Sequence, residues 1–263
     1  MLNGVFNYNL KPIQKICLSG LFIALTVILQ KVIAINYIPV IPFVRVSMGG
    51  PALIIFSSIF FGPIYGMVIG MASDILGYLI FDPKTMGFYP QITAIYSLLG
   101  LVSFFVFWLV KNIKNEKICC IIEIISLFAM ALGLSLFFIL NNQITLYSTT
   151  YDILMWQKIA IPIILFVLSG ALVVALFIMK KKVNGEGNSL SIWQISFSCF
   201  LLEITVMVLF GSFMKSLAFN FNFFIIALCQ LVVLFINIPL NTLLITIFMR
   251  LTNRFKNDKE MRE

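Results

Sequence analysis

Long apolar runs, separated by short polar or Gly-Pro breaks, recur at about residues 14–36, 48–61, 64–81, 93–110, 118–140, 158–179, 192–214 and 223–249. A helix needs about 20 apolar residues to cross the hydrocarbon core of a bilayer. The pattern therefore predicts an all-α integral membrane protein with about eight transmembrane helices. The run at 48–61 is short for a full crossing, and Gly62-Pro63 parts it from the next; a re-entrant hairpin is the alternative there. Lys11 and Lys15 precede a first run of full span length that has no small-residue cleavage site, so this run is expected to remain as a helix.

Composition agrees with the pattern. The chain has 263 residues, 61% of them hydrophobic and 11% charged, with a mean hydropathy of +1.07; soluble domains carry about a quarter charged residues. Too few polar residues remain for a separate soluble domain, so residues 1–263 read as one membrane domain. Basic residues near short loops stay in the cytoplasm. With both termini inside, thirteen of the 18 basic residues fall on the inner side, leaving Lys31, Arg45, Lys84, Lys158 and Lys215 outside. This asymmetry predicts a multi-pass protein of the cell membrane with both termini cytoplasmic, and it accounts for the net charge of +8 without nucleic acid as a partner.

Several chemistries lose their usual residues. The chain has no His, which removes the commonest metal ligand and general base. Its five Cys lie in apolar sequence and lack C-x-x-C spacing, so they read as packing residues. No phosphate-binding glycine loop is present, so the chain carries no ATPase of its own. No catalytic residue, metal or cofactor is expected. The two halves show no internal repeat of the kind that secondary transporters use.

The polar residues inside apolar runs carry the functional reading, because an ionisable group at bilayer depth is costly. Asp74 lies about ten residues along its run, Glu203 is similarly deep in the seventh, and Gln230 sits in the eighth. They either converge on an outward-opening cavity or bond helices together. Glu123 falls near the inner end of its run and reads as interfacial. On the outer side, two prolines hold Tyr37–Pro42 extended before Arg45 and Ser47, and the Arg45 fork suits a carboxylate. A second outer loop brings Phe88, Tyr89 and Gln91 to the same side, with Tyr78 one turn above Asp74. Together Arg45, Ser47, Asp74, Tyr78, Tyr89, Gln91 and Gln230 are the expected substrate-binding residues, suited to a flat, partly polar, anionic molecule. The outer loop 141–157 is rich in hydrogen-bonding side chains and is a candidate cover for that site.

Four segments carry a resemblance by their order and spacing: Pro42-Phe-Val-Arg-Val-Ser-Met-Gly-Gly-Pro51, Phe61-Gly-Pro-Ile-Tyr-Gly66, Gly70-Met-Ala-Ser-Asp-Ile-Leu-Gly77 and Gly87-Phe-Tyr-Pro-Gln-Ile-Thr93. The chain resembles the substrate-binding S components of energy-coupling-factor (ECF) vitamin transporters, the folate-type branch most, over residues 12–110, its first four helices. The resemblance implies a subunit that captures folate or a related heterocycle at the outer face and hands it inward by toppling in the membrane. It also implies two kinds of partner, a transmembrane coupling subunit and a pair of cytoplasmic ATPases. Small residues four apart on the family's first helix dock the coupling subunit, and Gly20 and Ala24 occupy that place. The family usually has six helices, so residues 118–181 read as an inserted helical hairpin before two last helices at 190–250. A rival reading is an ion-coupled secondary transporter using Asp74 and Glu203 as its relay.

Overall fold

Proline and glycine decide where the helices begin and end. Proline in the first turn needs no N–H partner, and it opens α1 (Pro12–Lys31), α3 (Pro63–Phe81) and α4 (Pro90–Lys111). Between α1 and α3 lies α2 (Gly50–Phe61), bounded by Gly49 at φ 94° and Gly62 at φ 110°. Both lie in backbone regions that glycine adopts at no steric cost. Then follow α5 (Glu116–Leu140), a two-stranded antiparallel ladder of β1 (Gln143–Leu146) and β2 (Thr149–Asp152), and α6 (Met155–Val183). In the ladder Gln143 stands opposite Asp152. One further span is continuous through α7 (Ile192–Leu202), a π-helical stretch (Glu203–Phe210) and α8 (Gly211–Phe219), and α9 (Phe223–Glu260) closes the chain after a turn at Asn220. This computed structural model describes residues 11–32, 49–81, 87–113, 115–146, 149–183 and 190–260.

Among the described residues seven apolar helices are long enough to cross a bilayer, with α7 through α8 taken as one. The expected eighth crossing, 48–61, is a helix but not a full span. Its 12 residues reach about 18 Å at 1.5 Å per residue, against a core of about 30 Å, because the backbone at Gly49 and Gly62 leaves the helix at both ends. All of α2 except Phe60 is buried, as expected of a helix that is apolar all round. It packs against α1, α3, α4 and α9.

Helix directions follow from side-chain neighbours. Lys15 lies 6.0 Å from the Tyr65 ring, and Lys31 packs on Gly77, so α1 and α3 run parallel and α2 lies between them in the chain. α3 and α4 are antiparallel and touch through their backbones. A Cβ added at Gly100 would stand 2.1 Å from the Gly66 carbonyl oxygen, and one at Gly70 would stand 2.2 Å from that of Tyr96. Small residues permit this approach in lipid.

The buried side chains form two clusters. One surrounds α2, with Phe22, Phe56, Phe61, Leu99, Phe107 and Ile245 among its members. The other joins α5 and α6 to α7 and α9 through Leu127, Leu165, Trp193 and Leu234. Helices α5 and α6 thus form an antiparallel pair that packs against α7 and α9.

Candidate functional site

The glycine contacts set the register of α3 on α4, and one turn beyond Gly70 and Tyr96 that register brings Asp74 to Thr93. The Thr93 hydroxyl donates a 2.6 Å hydrogen bond to Asp74 Oδ2, and both residues are 7% exposed. A further turn along α3, the Tyr78 ring lies 5.3 Å from that of Phe88. Tyr89, which precedes α4, sets its ring 4.8 Å from Phe219 at the end of α8, and Phe219 in turn lies 6.4 Å from Phe221. Gln91 opens α4 with its Oε1 buried and without a hydrogen-bond partner. The end of α3 and the start of α4 therefore carry a hydrogen-bonded carboxylate and hydroxyl, an amide and one ring pair, and Tyr89 joins a second ring group with Phe219 and Phe221 of the α8 end. Such a mixture of ring faces and a few polar groups suits a flat, partly polar ligand.

The expected residues divide into three groups. Asp74, Tyr78, Tyr89 and Gln91 come to this one end of α3 and α4. Arg45 and Ser47 lie outside the described residues. Gln230 is buried on α9, next to Cys229, which is within electrostatic reach of Lys215.

The polar residues that read as one level in the sequence sit in separate helix interfaces. Asp74 lies between α3 and α4, whereas Glu203 lies between the π-helical stretch and α9. There Asn241 Nδ2 donates 3.1 Å to Glu203 Oε1, Asn237 adds a second side-chain hydrogen bond, and Lys215 interacts with the carboxylate electrostatically. Glu123, which its place in the run puts near the inner end, meets α7. It is fully buried, because α7 packs over it and Ser196 donates to its Oε1. In the loop at 141–157, Gln143 Nε2 donates 2.9 Å to Asp152, and Lys158 bonds Asn142 and the Ile139 carbonyl.

Sequence reading missed Thr93 as the partner of Asp74, Phe219 and Phe221 as the ring group beside Tyr89, and Asn237 and Asn241 as partners of Glu203. A threonine in the first turn after Phe88-Tyr-Pro, and Asn237-Ile-Pro-Leu-Asn241 facing a lone glutamate, were the available signals. Gly20 and Ala24 are exposed on α1. A Cβ at Gly20 would meet nothing within 4 Å, and Ile13, Ile16, Leu21 and Ile28 are exposed on the same helix.

Fold and composition together define a multi-pass helical membrane protein. No family model, curated protein or solved structure matches the chain. Among the described residues no group of His, Cys, Asp and Glu is arranged to hold a metal ion.

Proposed function

We propose that this chain is the substrate-capture subunit of an ECF-type, ATP-driven vitamin transporter in the cell membrane. Its ligand is an anionic, vitamin-like heterocycle, folate or a relative. In this reading both chain termini are cytoplasmic and the number of crossings is even; the parallel course of α1 and α3 supports that parity. The observation that carries the reading is the pairing of Asp74 with Thr93 between α3 and α4, beside the ring contacts of Tyr78 with Phe88 and of Tyr89 with Phe219 at the same end of α4. There Asp74 and Gln91 orient the polar edge of the ligand, and the rings of Tyr78 and Tyr89 cover its face. Arg45 and Ser47 take its acidic group, and Gln230 contributes from α9.

The exposed Gly20 and Ala24 side of α1 is the proposed seat of the transmembrane coupling subunit, which brings the two cytoplasmic ATPases. This chain carries no chemistry of its own; it binds and orients.

The test is mass spectrometry of small molecules that copurify with the detergent-solubilised protein, followed by titration of the purified chain with folate. Recovery of a heterocyclic carboxylic acid, bound by the chain alone and carried across a membrane only with an ATP-hydrolysing partner, supports the reading. Uptake by the chain alone in liposomes, driven by an ion gradient, overturns it in favour of a transporter that uses Asp74 and Glu203.

A further inference from the structure

Away from the outer cluster, α5, α7 and α9 enclose a line of polar side chains that this reading does not use. Glu123 is 0% exposed; Ser196 donates to its Oε1, and its Oε2 is buried with no hydrogen-bond partner. Ser196, Cys199 and Glu203 are spaced i, i+3, i+7 and so share one face of their helix. From α9, Thr242 lies beside Cys199, and Asn241 bonds Glu203. The Thr242 hydroxyl is fully buried, with the Cys199 thiol as its side-chain hydrogen-bonding neighbour. The Cys199 thiol is within electrostatic reach of both Glu123 and Glu203. A π-helical stretch begins at Glu203, and such wide turns recur at functional sites.

Among the described residues no cation balances Glu123. Its electrostatic neighbours among the described residues are the thiols of Cys119 and Cys120 on its own helix and of Cys199 on α7. The nearby ammonium on α6, Lys180, is held by Glu116 at 2.7 Å. An ionised carboxylate in this setting leaves a charged oxygen with neither donor nor counter-ion, which is strongly unfavourable. One bound proton removes the charge and lets the carboxyl donate as well as accept.

We propose that Glu123 is an intramembrane proton-binding site whose proton exchanges along the Ser196, Cys199, Thr242 and Glu203 line. Exchange moves one proton at a time and no electrons. Each hydroxyl or thiol on the line releases its own proton as it accepts the next. The site does not rest on the reading of the outer cluster, and it would couple protonation to movement of α5 against α7 in any transport cycle.

Infrared difference spectroscopy of the full-length protein in lipid bilayers tests this. The expected result at neutral pH is the C=O band of a protonated carboxyl, absent from Glu123→Gln and displaced in Ser196→Ala, which keeps the glutamate but loses its donor. In D2O the band shifts as the proton is replaced, and Thr242→Val slows that replacement several-fold. Loss of ionised-carboxylate bands in Glu123→Gln overturns the site, as does a band that never shifts in D2O. Unchanged exchange in Thr242→Val overturns the route. If Glu123→Gln does not fold, the Ser196→Ala displacement assigns the band by itself, and no displacement there counts against the site.

Discussion

Thr93 on α4 donates a 2.6 Å hydrogen bond to Asp74 on α3, one turn beyond the point where Gly70 meets the backbone of Tyr96. Removing a donor from a buried polar group costs about 1–3 kcal/mol. Thr93→Val keeps the shape and loses the hydroxyl, so it is expected to lower the melting temperature in detergent by several degrees and to weaken ligand binding with it. Thr93→Ser should recover most of both. A Thr93→Val protein that melts like the parent would show that the bond does not hold α3 to α4.

The crossing that sets this register depends on glycine. At Gly100 an added Cβ would stand 2.1 Å from a carbonyl oxygen and 2.3 Å from its carbon, both of Gly66, and backbone cannot swing aside as a side chain can. Gly100→Ala is therefore expected to push α3 from α4 and to destabilise by more than the roughly 1 kcal/mol typical of single substitutions. Gly20→Ala, facing open space, should leave stability unchanged or slightly raised, since alanine is the better helix former. Equal melting temperatures for Gly100→Ala and the parent would contradict the close crossing.

Much of the helical plan was legible because it is a matter of composition: a 20-residue apolar run has few other uses. The half-length of α2 was visible only in part. Gly62-Pro63 marked one end, but the left-handed backbone at Gly49 is one of two adjacent glycines that sequence does not tell apart. The partners of the buried carboxylates were not legible. Asp74 meets Thr93, and Glu203 meets Asn241, through helix registers fixed by backbone contacts and side-chain volumes far along the chain. The burial of Glu123 was not legible for the same reason, because it is α7, far along the chain, that packs over it.

Orientation has its own test. Both ends of the α5 and α6 pair carry exposed positions, Asn142 at one end and Lys181 at the other. In a chain whose native Cys are replaced, Asn142→Cys should react with a membrane-impermeant maleimide added to intact cells. Lys181→Cys should react only after the membrane is opened. The reverse pattern would invert the protein and remove the proposed outer face.

The aromatic pair Tyr89 and Phe219, 4.8 Å apart, joins the start of α4 to the end of α8. Ring pairs of this kind are worth about 0.5–1.5 kcal/mol beyond their burial. Tyr89→Ala and Phe219→Ala should each weaken ligand binding, and the double variant should lose less than the two losses added together. Strict additivity in titrations of the purified protein would mean that the rings act separately and do not form one wall of the site.

Gly20→Trp separates capture from coupling. The position faces open space, so a bulky ring is accommodated without disturbing the packing of α1 on α2 and α3. Ligand affinity in detergent should stay near that of the parent, because the outer cluster is built from α3, α4 and α8. A partner helix that approaches α1 closely, however, depends on a small side chain there, and the indole would hold it away. Uptake driven by ATP in the assembled transporter is therefore expected to disappear while binding persists. Loss of binding with assembly intact would place Gly20 near the ligand, and normal ATP-driven uptake would move the docking face off α1.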